Sequence, residues 1–132
     1  MTALRLVLRA TPDQRLDLSP LTPDRLAGLS QAEIAALPLH TTRHRVTVGD
    51  VFHIRPGDPA EIVIDGGSER FDRVGQAMQA GTLTVQGDVG QLAGRLMEGG
   101  RLLIRGNTGG RAASGLRGGT LEIAGDTGAF LG

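Results

Sequence analysis

Three histidines are the first side chains in this sequence to weigh as metal ligands. His40 and His44 are four residues apart, a spacing that would place both on one face of a helix. The stretch 41–48 follows Pro38 and has the pattern of an extended chain, in which four residues span about 13 Å. We therefore predict that His40 and His44 are surface or interface residues rather than ligands of one metal ion. His53 lies in an apolar strand pattern and is expected to face outward.

The remaining residue types that support catalysis form no recognisable pattern. Four carboxylates, Glu61, Asp65, Glu69 and Asp72, lack an evident pairing for general acid–base chemistry and are predicted to be solvated loop residues. The motifs GxGxxG, GxSxG and HExxH do not occur. All 14 basic residues are arginine and there is no cysteine, which excludes a catalytic lysine and thiolate-bound metals within this chain. The sequence predicts no catalytic, cofactor-binding or metal-binding residue.

The elements that would position any functional residue are dominated by a 19-residue repeat. Three segments align without a gap: Ala80–Gly90, Gly99–Gly109 and Gly118–Gly128. Each combines a short alternating strand with a glycine-rich turn, which is typical of a solenoid. Solenoids commonly serve as scaffolds or binding surfaces, so the repeat bears on function as well as on fold.

Within the repeat, apolar and polar residues alternate as in a half-buried strand. The outward positions are Thr84, Leu103 and Glu122, followed by Gln86, Arg105 and Ala124, and we predict that Leu103, Arg105 and Glu122 are interface candidates. Either a partner or the N-terminal segment of this chain would cover Leu103. The predicted core columns are Leu83, Leu102 and Leu121; Val85, Ile104 and Ile123; and Met78, Met97 and Leu116.

The glycines and Asx residues of the repeat are predicted to form stacked turns. Glycine adopts positive φ without strain, and Asp or Asn hydrogen-bond the backbone in turns. A calcium column is disfavoured because the GGxGxDxUx nonapeptide is absent. The predicted structural turn residues are Gly87, Gly90, Gly94, Gly106, Gly109, Gly125, Gly128, Asp88, Asn107 and Asp126.

The segment before the repeat predicts a different organisation. The stretch 3–9 alternates like a strand, Thr22-Pro23 predicts a helix start, and Ser30 with Glu33 forms a capping box before a short helix that Pro38 ends. Residues 62–64 match 83–85 at an offset of 21, and 46–54 is expected to form a first, irregular coil. We predict an N-terminal subdomain at 1–45 that covers the first coil, and coils at 46–132. Residues 129–132 resemble the start of another coil, so we expect a truncated or partner-covered C-terminal end.

Composition narrows the range of partners. The formal net charge is zero and aromatic residues make up 2%, so nucleic-acid binding has neither a basic field nor stacking residues to support it. No apolar run is long enough to span a membrane, and the N-terminus lacks the pattern of a signal peptide. We expect a cytoplasmic protein.

Several motifs resemble one family. Gly87-xx-Gly90-xxx-Gly94 and Gly125-xx-Gly128-xxx-Gly132, each preceded by a Gly-x-Leu-x-Val/Ile strand, resemble the GxxGxxxG coils of a right-handed β-helix. Val48–Phe52 resembles the GD-x-F entry strand, and Val74–Gly90 the IGxxMxxGxIxVxGDxG repeat, of the C subunits of formylmethanofuran dehydrogenase and of the bacterial formyltransferase/hydrolase complex. The expected fold class is mainly β, a right-handed parallel β-helix with a small α/β N-terminal subdomain. Ala113 departs from the family pattern, since it replaces the third glycine of its coil.

The resemblance implies a non-catalytic structural subunit that braces catalytic subunits. In the bacterial complex these are formyltransferase and amidohydrolase-like subunits, which carry a formyl group from formyl-tetrahydromethanopterin to a methanofuran analogue and release formate. In the redox-active alternative, the partners are molybdopterin or tungstopterin-type subunits. In both cases the methanofuran analogue, tetrahydromethanopterin and any metals would be held by partner subunits. A glutamate-synthase-type β-helix domain and a stand-alone β-helical enzyme or sugar-binding module are further alternatives; the lysine-free composition favours the bacterial complex.

Overall fold

The computed structural model of the protein describes residues 2–41, 43 and 45–125. These residues form ten short strands and three short helices. In chain order the elements are β1 (Ala3–Leu8), β2 (Leu16–Asp17), α1 (Pro23–Leu26), α2 (Gln31–Ala36), β3 (Pro38–Thr41), β4 (Val46–Thr47), α3 (Val48–Val51), β5 (Phe52–Arg55), β6 (Asp58–Asp65), β7 (Phe71–Asp72), β8 (Thr82–Gln86), β9 (Arg101–Ile104) and β10 (Thr120–Ile123).

The larger of the two sheets contains the repeat strands. Its strand order is β10-β9-β8-β6-β1-β5, and β6, β8, β9 and β10 are parallel to one another. Leu83 pairs with Leu102 and Leu102 with Leu121, which is the 19-residue spacing of the sequence repeat. Ile62 pairs with Leu83, so the predicted offset of 21 residues is confirmed.

The N-terminal segment is woven into both sheets. Strand β1 lies inside the large sheet, parallel to β6 on one side and antiparallel to β5 on the other. The smaller sheet has the order β4-β3-β2-β7, in which β2 pairs antiparallel with β3 and parallel with β7. Residues far apart in the chain are therefore neighbours in each sheet.

The predicted fold class, a mainly β, right-handed parallel β-helix, is wrong. The described residues form a mixed α/β fold with two sheets, three short helices and antiparallel pairing among β1, β5, β2, β3 and β4. The sequence repeat reports only which strands stack at a fixed spacing. The insertion of β1 between β6 and β5 depends on contacts between residues more than 40 positions apart in the chain, which leave no local periodicity.

The two predicted N-terminal helices are confirmed. Helix α1 begins with Pro23 at its first turn, and Gly28 follows it at φ +82°. Helix α2 begins with the predicted capping box, in which Ser30 Oγ accepts from the Glu33 N–H at 3.1 Å and Glu33 Oε1 accepts from the Ser30 N–H at 3.0 Å.

The interpretation of 46–54 as one irregular coil, with Val48–Phe52 as an entry strand, is wrong. This stretch forms strand β4, the single-turn helix α3 and strand β5. Asp50 Oδ2 accepts a hydrogen bond from the Thr47 N–H at 2.9 Å. That bond stabilises a helix start where the apolar pattern alone indicated a strand.

Left-handed backbone recurs in every repeat. Three residues at alternate positions in each turn have positive φ: Arg73, Gly75 and Ala77; Leu92, Gly94 and Leu96; Arg111, Ala113 and Gly115, with values between +57° and +74°. The first and last of the three point their N–H groups to the following turn, as in the bonds from Leu92 to the Gly110 carbonyl and from Leu96 to the Ser114 carbonyl. The turns are therefore linked to each other by hydrogen bonds in both chain directions, since Ala113 N–H donates back to Ala93.

Most of the predicted turn glycines are needed for a reason other than positive φ. A Cβ at Gly106 would collide with the backbone of Gly87 and with Asp88 Oδ1 in the preceding repeat. Asp88 Oδ1 accepts from the Asn107 N–H at 2.8 Å, so this Asx position bonds the next turn. The same close approach to another stretch of the chain applies at Gly87, Gly90 and Gly125, a Cβ at Gly109 would be a tight 3.0 Å from the Gly90 backbone, and Gly94 has a φ of +70°. Asp126 and Gly128 lie outside the described residues.

One continuous hydrophobic core joins the N-terminal segment to the repeat. Phe52 and Phe71 are both fully buried, and their ring centroids are 5.7 Å apart. Of the predicted core columns, Leu83, Leu102, Val85, Ile104, Met78 and Met97 are buried, and Leu121 and Ile123 are half-buried against the core.

Leu116 is 42% exposed, so its predicted place in the core is wrong. Met78 and Met97, its equivalents, are each covered by a further repeat. Within residues 2–41, 43 and 45–125, no repeat follows Leu116 to cover it in the same way.

Candidate interaction surface on the large sheet

The outward-facing side chains of the large sheet form one row across the strands, because alternate residues of each strand point to the same side. Val63 in this row is buried, Thr84 and Leu103 are half-buried, and Glu122 is exposed. The strand register places Val63 beside Thr84, Thr84 beside Leu103, and Leu103 beside Glu122. Arg5 of β1 continues this row next to Val63. We call these five residues, together with Arg105, the outer face.

Leu103 is an apolar side chain at the β9–β10 end of the outer face. It is half-buried and lines a shallow depression of about 140 Å³ together with Arg105 and Glu122. The lining comes entirely from residues 103–105 and 122–124. Residues 1–45 contribute nothing to this lining, and cover of Leu103 by a partner stays a prediction.

Charged side chains lie at both ends of the outer face. Arg5 pairs with Asp65 at 3.3 Å, and Arg101 with Glu122 at 3.8 Å, with all four side chains more than a third exposed. Such exposed pairs contribute little to stability. Arg105 is exposed and forms no ion pair with any other described residue. The pairing of Asp65 corrects the prediction that it is an isolated loop carboxylate.

A second polar arrangement lies where β2 meets β7. The Arg15 guanidinium donates to both carboxylate oxygens of Asp72, at 2.7 and 2.6 Å, and Asp72 Oδ1 also accepts from the Gln91 N–H at 2.9 Å. The hydrogen bond to Asp72 raises the pKa of Arg15 above its ordinary value, although burial opposes this. Asp72 is thus a clamp between three chain segments, not the solvated loop residue predicted.

Sequence reasoning missed this clamp because its partners are 57 residues apart. The only signal was an acidic residue next to Phe71, in a stretch where the strand pattern is two residues long. Charge pairing across such a distance becomes visible once β2 and β7 are known to be neighbours.

The described histidines are not gathered into a site. His40 lines a cleft of about 470 Å³ with the Arg15–Asp72 clamp, and His53 is exposed beside a separate groove against α2. His44 lies outside the described residues. Among the residues that are described, no group of three or more histidines and carboxylates is placed to hold a metal ion.

Comparison with known proteins places this geometry in a family, although no protein-family model matches the chain. The C subunit of the formyltransferase/hydrolase complex Fhc of Methylorubrum extorquens is 47% identical over 91 residues, which are 69% of this chain and 34% of that protein. The crystal structure of the formyltransferase/hydrolase complex FhcABCD from the same organism, in complex with methylofuran, contains a chain that matches with a TM-score of 0.90 at 45% identity, over 94% of this chain and 47% of that one.

The chain belongs to the family of these C subunits. The C subunit of the tungsten-containing formylmethanofuran dehydrogenase 2 of Methanothermobacter thermautotrophicus is 35% identical over 100 residues, 71% of this chain and 37% of that protein. The match thus spans about a third of the curated relatives' length and about half of the crystallised chain. The family resemblance read from the repeat is confirmed. A search of the described helices finds none that is both long and apolar enough to cross a bilayer.

Proposed function

We propose that this C-subunit homologue is a non-catalytic structural subunit of a multi-subunit one-carbon enzyme complex of the formyltransferase/hydrolase type. The observation that carries the proposal is the TM-score of 0.90, at 45% identity, to a chain of the FhcABCD complex. The complex would transfer the formyl group of formyl-tetrahydromethanopterin to a methanofuran analogue and release it as formate.

The hydrolytic complex is favoured over the redox-active one by sequence. Identity is 47% to the formyltransferase/hydrolase subunit and 35% to a tungsten-containing dehydrogenase subunit, over segments of similar length. The C subunit of a redox-active formylmethanofuran dehydrogenase remains the second candidate. In either case we propose that the methanofuran analogue, tetrahydromethanopterin and any metals are held by partner subunits. A cytoplasmic location stays a prediction.

We propose that the outer face is where this subunit meets a catalytic subunit. Leu103 is a half-buried apolar side chain between Thr84 and Glu122, and Arg105, which has no ion pair among the described residues, lies beside it in the same depression. A central apolar anchor with a charged rim is the usual anatomy of a protein–protein interface. Glu122, loosely paired with Arg101, would form part of that rim.

The test is co-expression of the tagged chain with the other three subunits of a formyltransferase/hydrolase complex from the same source. Size-exclusion chromatography with mass analysis would report the assembly, and formate release its activity. We expect the wild-type chain to enter a complex, and Leu103→Asp to weaken assembly at least tenfold. Ala27→Asp, at an exposed position after α1, is the matched control and should assemble normally.

Each outcome separates the proposals. In a parallel pull-down of the tagged chain from its source cells, molybdopterin or tungstopterin subunits would move the chain to the redox-active complex, and a glutamine amidotransferase partner would indicate the glutamate-synthase alternative. If no subunit bound, the structural role itself would be refuted. Normal assembly by Leu103→Asp would leave the role intact and remove the outer face as its docking surface.

A further inference from the structure

Positive charge is concentrated in one stretch of an otherwise neutral chain. Residues 91–117 contain five arginines and one glutamate, a net charge of +4, whereas the whole chain has a net charge of zero. Of these arginines, Arg105 belongs to the outer face and Arg101 pairs with Glu122 at its edge. The other three, Arg95, Arg111 and Arg117, lie in or next to the left-handed turns described above.

Leucines accompany these arginines at the surface. Leu92 and Leu96 are half-buried and have φ values of +63° and +57°, a conformation that bulky side chains rarely adopt. The equivalent positions in the preceding turn are Arg73 and Ala77. Leu116 is 42% exposed. The leucine side chains at these positions are not required by the backbone, since arginine, alanine and glycine occupy the same positions in neighbouring turns.

The ladder hydrogen bonds make these residues contiguous. Leu92 N–H donates to the carbonyl of Gly110, next to Arg111, and Leu96 N–H donates to Ser114. The Leu96 side chain lies over Gly115, where an added Cβ would be 2.8 Å from its Cδ2. Arg117 N–H donates to Met97, the residue after Leu96. We name this surface the leucine–arginine corner; it comprises Leu92, Arg95, Leu96, Arg111, Leu116 and Arg117.

The charges of the corner are not neutralised within the described chain. Arg95 makes a 3.4 Å hydrogen bond to Gln76 Oε1, and neither Arg111 nor Arg117 has a carboxylate partner among the described residues. By contrast, Arg73, in the same column as Arg111, pairs with Asp17 at 3.2 Å. The last turns therefore present both unsatisfied positive charge and apolar side chains, and the earlier turn does not.

We propose that the leucine–arginine corner is a second docking surface, for a carboxylate-rich protein surface whose apolar pocket receives Leu92 and Leu96. Charge complementarity selects an acidic partner, and the leucines select a protein over a nucleic acid, which would use the arginines alone and favour aromatic side chains that the corner lacks. The inference rests on the proposed function only in taking the partner to be another subunit of the complex.

The first experiment measures binding of the chain to the subassembly of the other subunits by biolayer interferometry between 50 and 500 mM salt. Arg111→Glu and Arg117→Glu should each weaken binding at least tenfold at low salt and flatten its salt dependence. Arg45→Glu, an exposed arginine in the N-terminal segment, changes the net charge equally and should leave binding within twofold.

Leucine variants separate docking from folding. Leu96→Asn keeps a residue that tolerates left-handed backbone and removes the apolar side chain, so it should weaken binding about tenfold with a circular dichroism spectrum like that of the wild type. Ala77→Asn, at the equivalent left-handed position one repeat earlier, is the matched control and should bind normally. Wild-type affinity in the corner variants, with assembly otherwise intact, would overturn the inference and leave the proposed function standing.

A second experiment decides the inference if no subunit binds the wild-type chain. NMR titration with a 20-residue peptide of alternating glutamate and leucine blocks should give saturable shifts confined to residues 92–96 and 110–117. A 20-nucleotide single-stranded DNA is the comparison anion. Absent shifts, or equal binding of the DNA, would refute a docking site for acidic protein.

Discussion

At the residue scale, the left-handed turns show how a repeat can hold non-glycine residues in a strained, positive-φ backbone. Ala113 has a φ of +62° where Gly75 and Gly94 stand in the two preceding turns. Its N–H still donates to the Ala93 carbonyl at 2.7 Å, so the ladder bond holds the residue in a conformation that costs an L-amino acid roughly 1–2 kcal/mol. The departure from the repeat's glycine pattern is therefore a local weakness.

We expect Ala113→Gly to increase the free energy of unfolding by about 0.5–1 kcal/mol, because relief of the left-handed strain exceeds the entropy that glycine adds to the unfolded chain. Urea denaturation followed by circular dichroism measures the change. Ala112→Gly is the matched control: Ala112 is fully buried without positive φ, so the same substitution should destabilise. Equal effects at both positions would mean that φ at Ala113 stores no strain.

The turn glycines also show what sequence can and cannot predict at this scale. Their 19-residue spacing identified them as structural residues from sequence alone. The reason assigned to them, positive φ, applies at Gly94, whereas Gly106 is required by the close approach of Gly87 in the preceding repeat. Steric exclusion between stacked turns leaves the same glycine in the sequence as a left-handed corner does, so composition does not distinguish the two causes.

At the element scale, two helix starts depend on carboxylates. Backbone hydrogen bonds from Ser30 and Thr47 lower the pKa of Glu33 from 4.5 and of Asp50 from 3.8, respectively. Because the pKa is lower in the folded state, each cap contributes stability that is present above the ordinary pKa and is lost as the pH falls through the lowered folded value. Below about pH 4, α2 and α3 should therefore weaken.

The two caps give the protein a specific pH dependence. The double variant Glu33→Gln, Asp50→Asn should be less stable than the wild type at pH 7, and the difference should narrow as the pH falls below the ordinary carboxylate pKa values, since the wild-type caps then become protonated. Denaturation midpoints at half-unit pH steps measure it. Glu61→Gln, which changes an exposed carboxylate in β6 that caps no helix, is the control substitution, and its midpoint at pH 7 should stay close to that of the wild type. A constant gap in the double variant would show that the caps do not titrate.

The helices and strands differed in how well the sequence predicted them. Helices α1 and α2 and strand β1 were predictable because capping residues, proline and alternation act within a few residues. The register of β8, β9 and β10 followed from the repeat. Helix α3 was missed because its Asp50 cap lies inside an apolar pattern that favours a strand. The position of β1 between β6 and β5 was unpredictable, since the segment would alternate identically in any half-buried sheet.

Of the two proposed docking surfaces, only the outer face could be predicted from the sequence. Alternation placed Leu103, Arg105 and Glu122 on the outward side of their strands, and register then brought them to one depression. The leucine–arginine corner was not foreseen, because the repeat conserves the backbone of these turns but not their side chains, and Arg73 and Ala77 stand where Leu92 and Leu96 stand one repeat later. The net charge of the whole chain gave no sign of the corner either, since the +4 of residues 91–117 is cancelled by the rest of the chain.

At the scale of the whole molecule, the N-terminal segment and the repeat share one core. Leu4 and Leu6 of β1 are almost fully buried in the same cluster as Ile62, Ile64 and the repeat leucines. Removing β1 would take away two leucines, roughly 2 kcal/mol each by transfer free energy, and leave β6 and β5 without the strand that joins them. The predicted domain boundary between residues 45 and 46 stays a prediction. Because the two parts share one core, we expect their unfolding to be coupled.

We expect the chain to unfold in one cooperative transition. Native-state hydrogen exchange should give the same opening free energy for the amides of Leu6 in β1 and Val85 in β8, because neither strand retains its buried face when the other is lost. A fragment of residues 46–132 should accordingly lose cooperative urea unfolding. Restoring residues 1–45 as a separate polypeptide, so that β1 can return between β6 and β5, is the control and should recover it. Separate opening free energies for Leu6 and Val85, with a cooperatively folded fragment, would instead establish the N-terminal segment as an independent cover on a self-sufficient repeat.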